Sequence, residues 1–524
     1  MTTLQQSAPA SRIRRFRRTV DVLRRSSATA PVAVGLFGFV LAAAASWIPS
    51  PWYDEAATIS AATRTLPQLF ALLQNVDAVH GVYYALMHVW LGLVGYSPFA
   101  LRLPSAVAVG VAAGALVVLV RRLAPGPAGR RTALVAGLVF GLLPRVTWMG
   151  TEGRSYAISV LLAVTLTLLF VGAWGWHRRD RPQRALAWAA YGVIAAAACA
   201  TFLYLALLVL AHGVTALLLA RQRAGGRGLV GWALASSAAG LAVLPLVIDE
   251  VRQSKQVDWI SPLSASTPKN VVVAQWFYEN TAFAWVGWAL VLLGIAALLI
   301  PLLRGRSRPD GGRLLAVVLP WMIVPTAALL VATAVATPLY SARYLTFCAP
   351  TVAILIAVAL TAPRRAWIAV AGLLLCLAIT APSYLHQRSE NAKQDSSWGQ
   401  VAALLAGERA AEPSGQVDAA IYGPLRRHPE ADMSMLALAY PQQFSGLTDL
   451  KRGETAAERA RLWDGRIPLA DSRERLGDAP TVWLITSDKR DWRPSVQEQL
   501  QTWGYRVDDQ WHVDGVNVVR YQRN

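Results

Sequence analysis

Apolar residues in this chain recur in long blocks, and that recurrence constrains its fold more than any other feature. The blocks run roughly 17–25 residues, the length that carries a helix across a bilayer. One block would be an anchor; about eleven of them read as a polytopic integral membrane protein. Composition agrees, with 55% hydrophobic and only 15% charged residues. The net charge of +19 would suit nucleic acid, but the arginines cluster between the blocks, which is how cytoplasmic loops are marked. The partner implied is membrane lipid, with no nucleic acid. Cys199, Cys348 and Cys376 lie in or beside apolar blocks without metal-ligand spacing, so they read as packing residues.

Alternating the blocks across the bilayer gives a consistent topology. Residues 1–30 form a basic cytoplasmic tail. The first span, about 31–47, leads out to a long loop at 50–100. That loop holds two amphipathic pieces, Leu66-Pro-Gln-Leu-Phe-Ala-Leu-Leu and Tyr83-Tyr-Ala-Leu-Met-His-Val-Trp, which read as helices lying on the membrane surface. Spans follow at about 101–120, 132–149, after 156, twice within 185–220, at 229–247, at 283–303, and three more up to residue 382. Each even-numbered span ends at an arginine-rich segment: 121–131, 177–184, 221–227, 304–313 and 364–365. The membrane domain is thus 31–383. Residues 384–524 are polar, with strand-like runs at Ala419-Ala-Ile-Tyr and Thr481-Val-Trp-Leu-Ile-Thr, helical periodicity at 398–408 and 495–503, and a final strand pair turning near Asp514-Gly515. This reads as a small α/β domain on the extracytoplasmic side.

The same alternation gathers the unusual polar residues on one face. They are Asp54-Glu55 just after the first span, His80, Glu152-Gly-Arg154-Ser-Tyr156, the loop at 249–281, and Arg343-Tyr344. Acids beside a bilayer are costly without partners or a task. Carboxylates suit general-base work or a divalent cation, and guanidinium forks suit a phosphate. Aromatic surface helices suit a lipid tail or a sugar face. Arg102 reads as a structural contact rather than a ligand, and Asp249-Glu250 as a solvated loop start.

These motifs resemble the GT-C glycosyltransferases, polytopic enzymes that use polyprenyl-phosphate sugars. Asp54-Glu55 is similar to the family's acidic first-loop motif. Asp77-Ala-Val-His-Gly-Val-Tyr-Tyr84 resembles a segment that often reads Pro-Pro-Leu-Tyr-Tyr, with Val79-His80-Gly81 where relatives often carry prolines. Phe99-Ala-Leu-Arg-Leu-Pro-Ser-Ala looks like the segment opening the next span. Glu152-x-Arg-x-Tyr looks like the second acidic loop, and Arg343-Tyr344 like a late Arg-Tyr pair. The resemblance spans about residues 30–350. It extends to actinobacterial cell-envelope mannosyl- and arabinosyltransferases and to the lipid A aminoarabinose transferase-like family.

The resemblance implies an α-helical GT-C-like fold and an inverting displacement at the bacterial inner membrane. A sugar, mannose first and arabinofuranose second, would pass from a polyprenyl-phosphate donor to an envelope glycan or glycolipid. Asp54 would be the general base, with Glu55 and Glu152 holding acceptor hydroxyls or a divalent cation. Arg343, Tyr344 and Arg154 would bind the donor phosphate, and His80, Tyr156 and Tyr84 the acceptor. No nucleotide-binding loop is expected, because the sugar arrives on a lipid; none is found. Two rivals differ in class. A lipid-linked-sugar flippase would carry ionisable groups along a midplane path, whereas these spans are nearly free of charge. An assembly protein would rely on 384–524 alone.

Overall fold

The computed structural model describes residues 28–174, 181–221, 226–305, 309–410, 412, 416–425 and 431–524. The expected basic tail lies, up to residue 27, outside them, as do parts of three basic loops. The membrane bundle begins with α1 (Thr29–Ala43). Three short helices follow, α2 (Tyr53–Ala62), α3 (Leu66–Asn75) and α4 (Gly81–Val94). The chain then re-enters the bundle as α5 (Pro98–Leu123), α6 (Pro127–Leu142) and the single-turn extension α7 (Pro144–Met149). It continues through α8 (Tyr156–Ala173), α9 (Arg181–Thr201), α10 (Ala206–Ala220), α11 (Gly226–Arg252), α12 (Thr281–Leu303), α13 (Pro309–Val335), α14 (Ala349–Thr361) and α15 (Ala366–His386).

Nine of the described helices are long and apolar enough to cross a membrane. With α1 and α6, which are 15 and 16 residues long, they coincide with the eleven apolar blocks. The third block differs from a continuous span. Its helix breaks at Leu143, whose backbone is extended ahead of Pro144, because proline's ring disfavours a helical residue before it. Large apolar side chains such as Leu234, Leu241, Trp285, Leu303 and Trp367 face outward, as a bundle solvated by lipid requires. Inside, α1 and α5 approach so closely that a Cβ on Gly110 would lie 2.8 Å from the Gly35 carbonyl oxygen. Small residues at such crossings let backbones meet.

The two surface helices form where the amphipathic pieces lie. A capping box of Thr65 and Gln68 starts α3. In α4, Tyr83, Tyr84, Met87 and Leu91 turn inward, while Val82, Leu86, Val89 and Leu93 are exposed. Both faces are apolar, which fits a helix set between protein and lipid.

Beyond α15 lie α16 (Trp398–Arg409) and a five-stranded sheet flanked by α17 (Arg493–Thr502). The strands are β1 (Asp418–Tyr422), β2 (Leu447–Asp449), β3 (Thr481–Ser487), β4 (Tyr505–Val513) and β5 (Val516–Arg523), in the order β2-β1-β3-β5-β4. β1 runs parallel to β2 and β3, while β3, β5 and β4 pair antiparallel. The β4–β5 hairpin turns at Asp514 and Gly515, both with positive φ, the conformation that tight hairpins need. The compositional boundary at residue 384 is not a packing boundary. Ala56, Ile59, Tyr83 and Met87 share one apolar core with Trp398, Tyr422, Leu436 and Trp483.

Candidate active site

Asp54 and Glu55 lie in the first turn of α2, where the helix dipole favours negative charge. Consecutive helical residues point about 100° apart, at 3.6 residues per turn. The two acids therefore enter different surroundings. The Asp54 side chain keeps 16% of its surface, and Oδ2 stands 3.0 Å from a terminal nitrogen of Arg343. Glu55 is sealed at 0%.

Glu55 takes both prongs of the Arg102 fork, Nε at 2.8 Å and a terminal nitrogen at 2.6 Å, and accepts the Gly153 amide at 2.8 Å. Gly153 has no room for a side chain: a Cβ there would come within 2.6 Å of Leu101. Arg102 donates its remaining bonds to the carbonyls of Ser46 and Pro49. Beside this pair, Lys393 Nζ lies 2.6 Å from Glu152 Oε1 and 3.9 Å from Glu55 Oε1, while the Trp52 indole donates to Glu152 Oε2. Two acids and two cations thus form a neutral buried set. Burial pushes the Glu55 carboxyl up, but Arg102 and Lys393 outweigh it and hold Glu55 below its ordinary value. Burial raises Glu152 and lowers Lys393.

Glu55 and Glu152, expected from the sequence to hold acceptor hydroxyls or a divalent cation, thus both lie inside this buried set. Both carboxylates are closed by cations, and neither opens toward an acceptor hydroxyl. Among the described residues, no group of three His, Cys, Asp or Glu side chains could hold a metal ion.

Arg154 is likewise placed differently from a phosphate ligand. It is 7% exposed and donates to His80 Nε2 at 2.7 Å, the Tyr84 hydroxyl at 3.1 Å and the Asp54 carbonyl at 3.3 Å. Tyr84 in turn donates to Asp77 Oδ2 at 2.7 Å, and burial raises the Asp77 carboxyl. An arginine only donates, so His80 Nε2 accepts and its proton sits on Nδ1. That Nδ1 is buried without a hydrogen-bond partner among the described residues. Burial, helped by Arg154 and Arg343, pushes the His80 imidazole well below its usual range and keeps it neutral. This network braces the backbone of Asp54 from behind; Tyr84 in particular is fully buried.

Arg343 meets Asp54 from the opposite side. It is the second residue of the short 3₁₀ segment Ala342–Cys348 that leads into α14. Its guanidinium lies over Trp259 at 4.8 Å, Trp52 at 5.6 Å and Tyr344 at 5.7 Å, contacts that favour a cation. Its Nε is buried without a hydrogen-bond partner among the described residues. Tyr344 packs on Tyr204 at 4.8 Å and near Phe202 and Tyr156. The wall continues through Trp148 to Tyr278, where Arg145 lies over both rings at 5.0 and 5.2 Å and donates to the Ala274 carbonyl.

The nine residues read from sequence therefore fall into two sets. Asp54, Arg343 and Tyr344 stay partly exposed beside one another, with Tyr156 buried against Tyr344. Glu55, Glu152, Arg154, His80 and Tyr84 form the support behind them. Sequence reasoning missed Trp52, Asp77, Arg145, Trp259 and Lys393. Arg145 carried a signal, a lone charge in the apolar run Leu142-Leu-Pro-Arg-Val. Lys393 carried none, since its partner Glu152 lies 241 residues away.

No family model matches this chain, and no curated protein matches it. Among solved structures it is similar to ArnT from Cupriavidus metallidurans. The apo form of that protein aligns at 14% identity with a TM-score of 0.55, covering 94% of this chain and 97% of that one. The form bound to undecaprenyl phosphate aligns at 15% identity over the same shares, with a TM-score of 0.54. The likeness is one of fold, and it runs through membrane bundle and C-terminal domain together. The chain has an ArnT-like fold.

Proposed function

We propose that this chain is an inverting glycosyltransferase of the bacterial inner membrane. It moves a sugar, mannose before arabinofuranose, from a polyprenyl-phosphate donor to an envelope glycan or glycolipid. The observation that carries this reading is the partly exposed Asp54–Arg343 pair at the mouth of an aromatic wall. A carboxylate and a guanidinium 3.0 Å apart are the two charges a single displacement needs. ArnT, described as bound to undecaprenyl phosphate, supports the donor class.

In this mechanism the donor phosphate draws Arg343 away from Asp54, since a phosphate offers the guanidinium a bidentate partner. The carboxylate, freed of its partner, takes the proton of an acceptor hydroxyl. That oxygen attacks the anomeric carbon as its bond to the phosphate oxygen breaks, and the polyprenyl phosphate leaves with the electron pair. Arg343 stabilises the charge growing on the leaving phosphate. Tyr344 and Tyr204, both half-buried, offer apolar faces to the lipid or the sugar ring, with Tyr156 and Phe202 packed behind them. Glu55 and Glu152 act indirectly, by fixing the helix that carries the base.

The charge distribution along α5 supports an outward-facing site. Arg102 marks the site end of this helix and Arg121-Arg122 its other end, ~28 Å away by helical rise. The second end also gathers Arg131, which donates to the Arg364 carbonyl. An arginine-rich end belongs in the cytoplasm, so the site faces outward. The test is transfer from radiolabelled polyprenyl-phosphate mannose to a membrane glycan extract. Wild type should transfer and Asp54→Asn should not, while still folding. If wild type is silent, the arabinose donor separates a wrong sugar from a wrong class. Full activity in Asp54→Asn would remove Asp54 as the base.

A further inference from the structure

The C-terminal domain holds a second cavity, of about 520 Å3, that the mechanism does not use. Its volume falls within the roughly 300–1,000 Å3 of ligand pockets. It opens at the carboxyl ends of β1 and β2, the rim at which open α/β sheets hold ligands. Tyr422, the last residue of β1, and Asp449, the last of β2, line it, with Phe444, Arg452, Trp463 and Asp464. The membrane bundle's own side closes it, through Ser60 of α2.

The lining has a distinct chemistry. Asp449 and Asp464 oppose Arg452 and Arg475, so the charges balance. Asp464 pairs with Arg452 at 2.8 Å, and Asp449 is held by Arg466. The polar groups are therefore fixed before any ligand arrives. Arg452 nevertheless keeps 52% of its side-chain surface. Fixed acceptors and donors without net charge suit a neutral ligand rich in hydroxyls. The Trp463 ring supplies a flat apolar face, as the C–H side of a sugar requires.

The cavity is also tied to the candidate base. Residues i and i+7 share a helix face, and on α2 these are Tyr53 and Ser60. Ser60 donates to the Leu462 carbonyl at 2.6 Å, and the Tyr53 ring packs on Trp463 at 5.6 Å. Arg64, one turn further, donates to the carbonyls of Arg461 and Ala456. The loop bearing Trp463 is thus strapped along the helix whose next position holds Asp54. Tyr53 to Ser60 spans ~10 Å of helical rise, so a chain of sugars, rather than a single one, would bridge groove and base.

We propose that this groove is a saccharide subsite that holds the acceptor as a neutral oligosaccharide and feeds its end toward Asp54. The acceptor role rests on the glycosyltransferase reading; the binding does not. The test uses the full chain purified in detergent, with short linear mannan and arabinan oligosaccharides as probes. Binding is read by saturation-transfer NMR without donor, and acceptor KM and kcat are read separately in the transfer assay. Trp463→Ala and the surface variant Arg452→Gln should each weaken binding about tenfold and raise acceptor KM with kcat nearly unchanged. Binding that survives both variants, or absent from wild type with every probe, overturns the groove. Competition by inorganic phosphate would make it an anion site and overturn it too. Binding lost in both variants, in a chain that transfers no sugar, would uphold the groove and fail the enzyme reading. Transfer with KM unmoved by either variant would do the reverse.

Discussion

Two charge systems sit back to back at the start of α2, built from the same residue types with opposite exposure. Glu55, Glu152, Arg102 and Lys393 are sealed, neutral as a set and bonded on nearly every oxygen and nitrogen. Asp54 and Arg343 keep 16% and 21% of their side-chain surface and one contact between them. A buried pair is costly to break, because the survivor is left charged without water. A partly exposed pair exchanges partners cheaply. The first system therefore suits holding, and the second suits letting go.

Four measurements test this division between a holding and a releasing charge system. The largest effect should come from Arg102→Ala or Glu55→Ala. Each strands a buried charge and should cost about 3–5 kcal/mol of stability, read as loss of monodisperse protein in detergent and a lower Tm. Second, Asp54→Asn should leave the Tm close to wild type while cutting transfer by roughly 10²–10⁴-fold. Similar Tm losses in Glu55→Ala and Asp54→Asn would erase the distinction. Third, Arg343→Lys keeps the charge but loses the planar fork. It should lower kcat/KM for the donor about tenfold, with the fold intact. The smallest effect concerns pH. His80 is held neutral in the folded chain, well below its ordinary 6.5. Below about pH 6.5 the unfolded chain binds a proton there that the folded chain does not. Stability should therefore fall as pH drops from 7 to 5.5, by at most ~1.4 kcal/mol per unit. His80→Gln should flatten that part of the Tm–pH curve; an unchanged slope would place the titration elsewhere.

Much of this was legible in the sequence. The eleven apolar blocks coincide with helices, nine of them long enough to cross a membrane among the described residues, because a bilayer sets both length and composition. The Asp514-Gly515 turn and the strands on either side were readable from local chemistry. What failed to read was direction. Asp54 and Glu55 look alike as neighbours in a string, yet one helical step turns them into different media. Arg154 looked like a phosphate ligand because its partners, Tyr84 and His80, lie 70 and 74 residues away. Lys393 sits in a polar stretch where a lysine is unremarkable, and only packing brings it under Glu152. β2, at three residues, is too short for periodicity to mark.

The shared core across residue 384 has a practical consequence. Ser50 bonds the Glu390 carbonyl, Ser396 the Pro51 carbonyl, and Trp398 is buried among side chains of the bundle's outer helices. A fragment beginning at 384 would expose that apolar seam to water. Such a fragment should not behave as a soluble module. Residues 384–524 are one wall of a packed body that the helices after the first span complete.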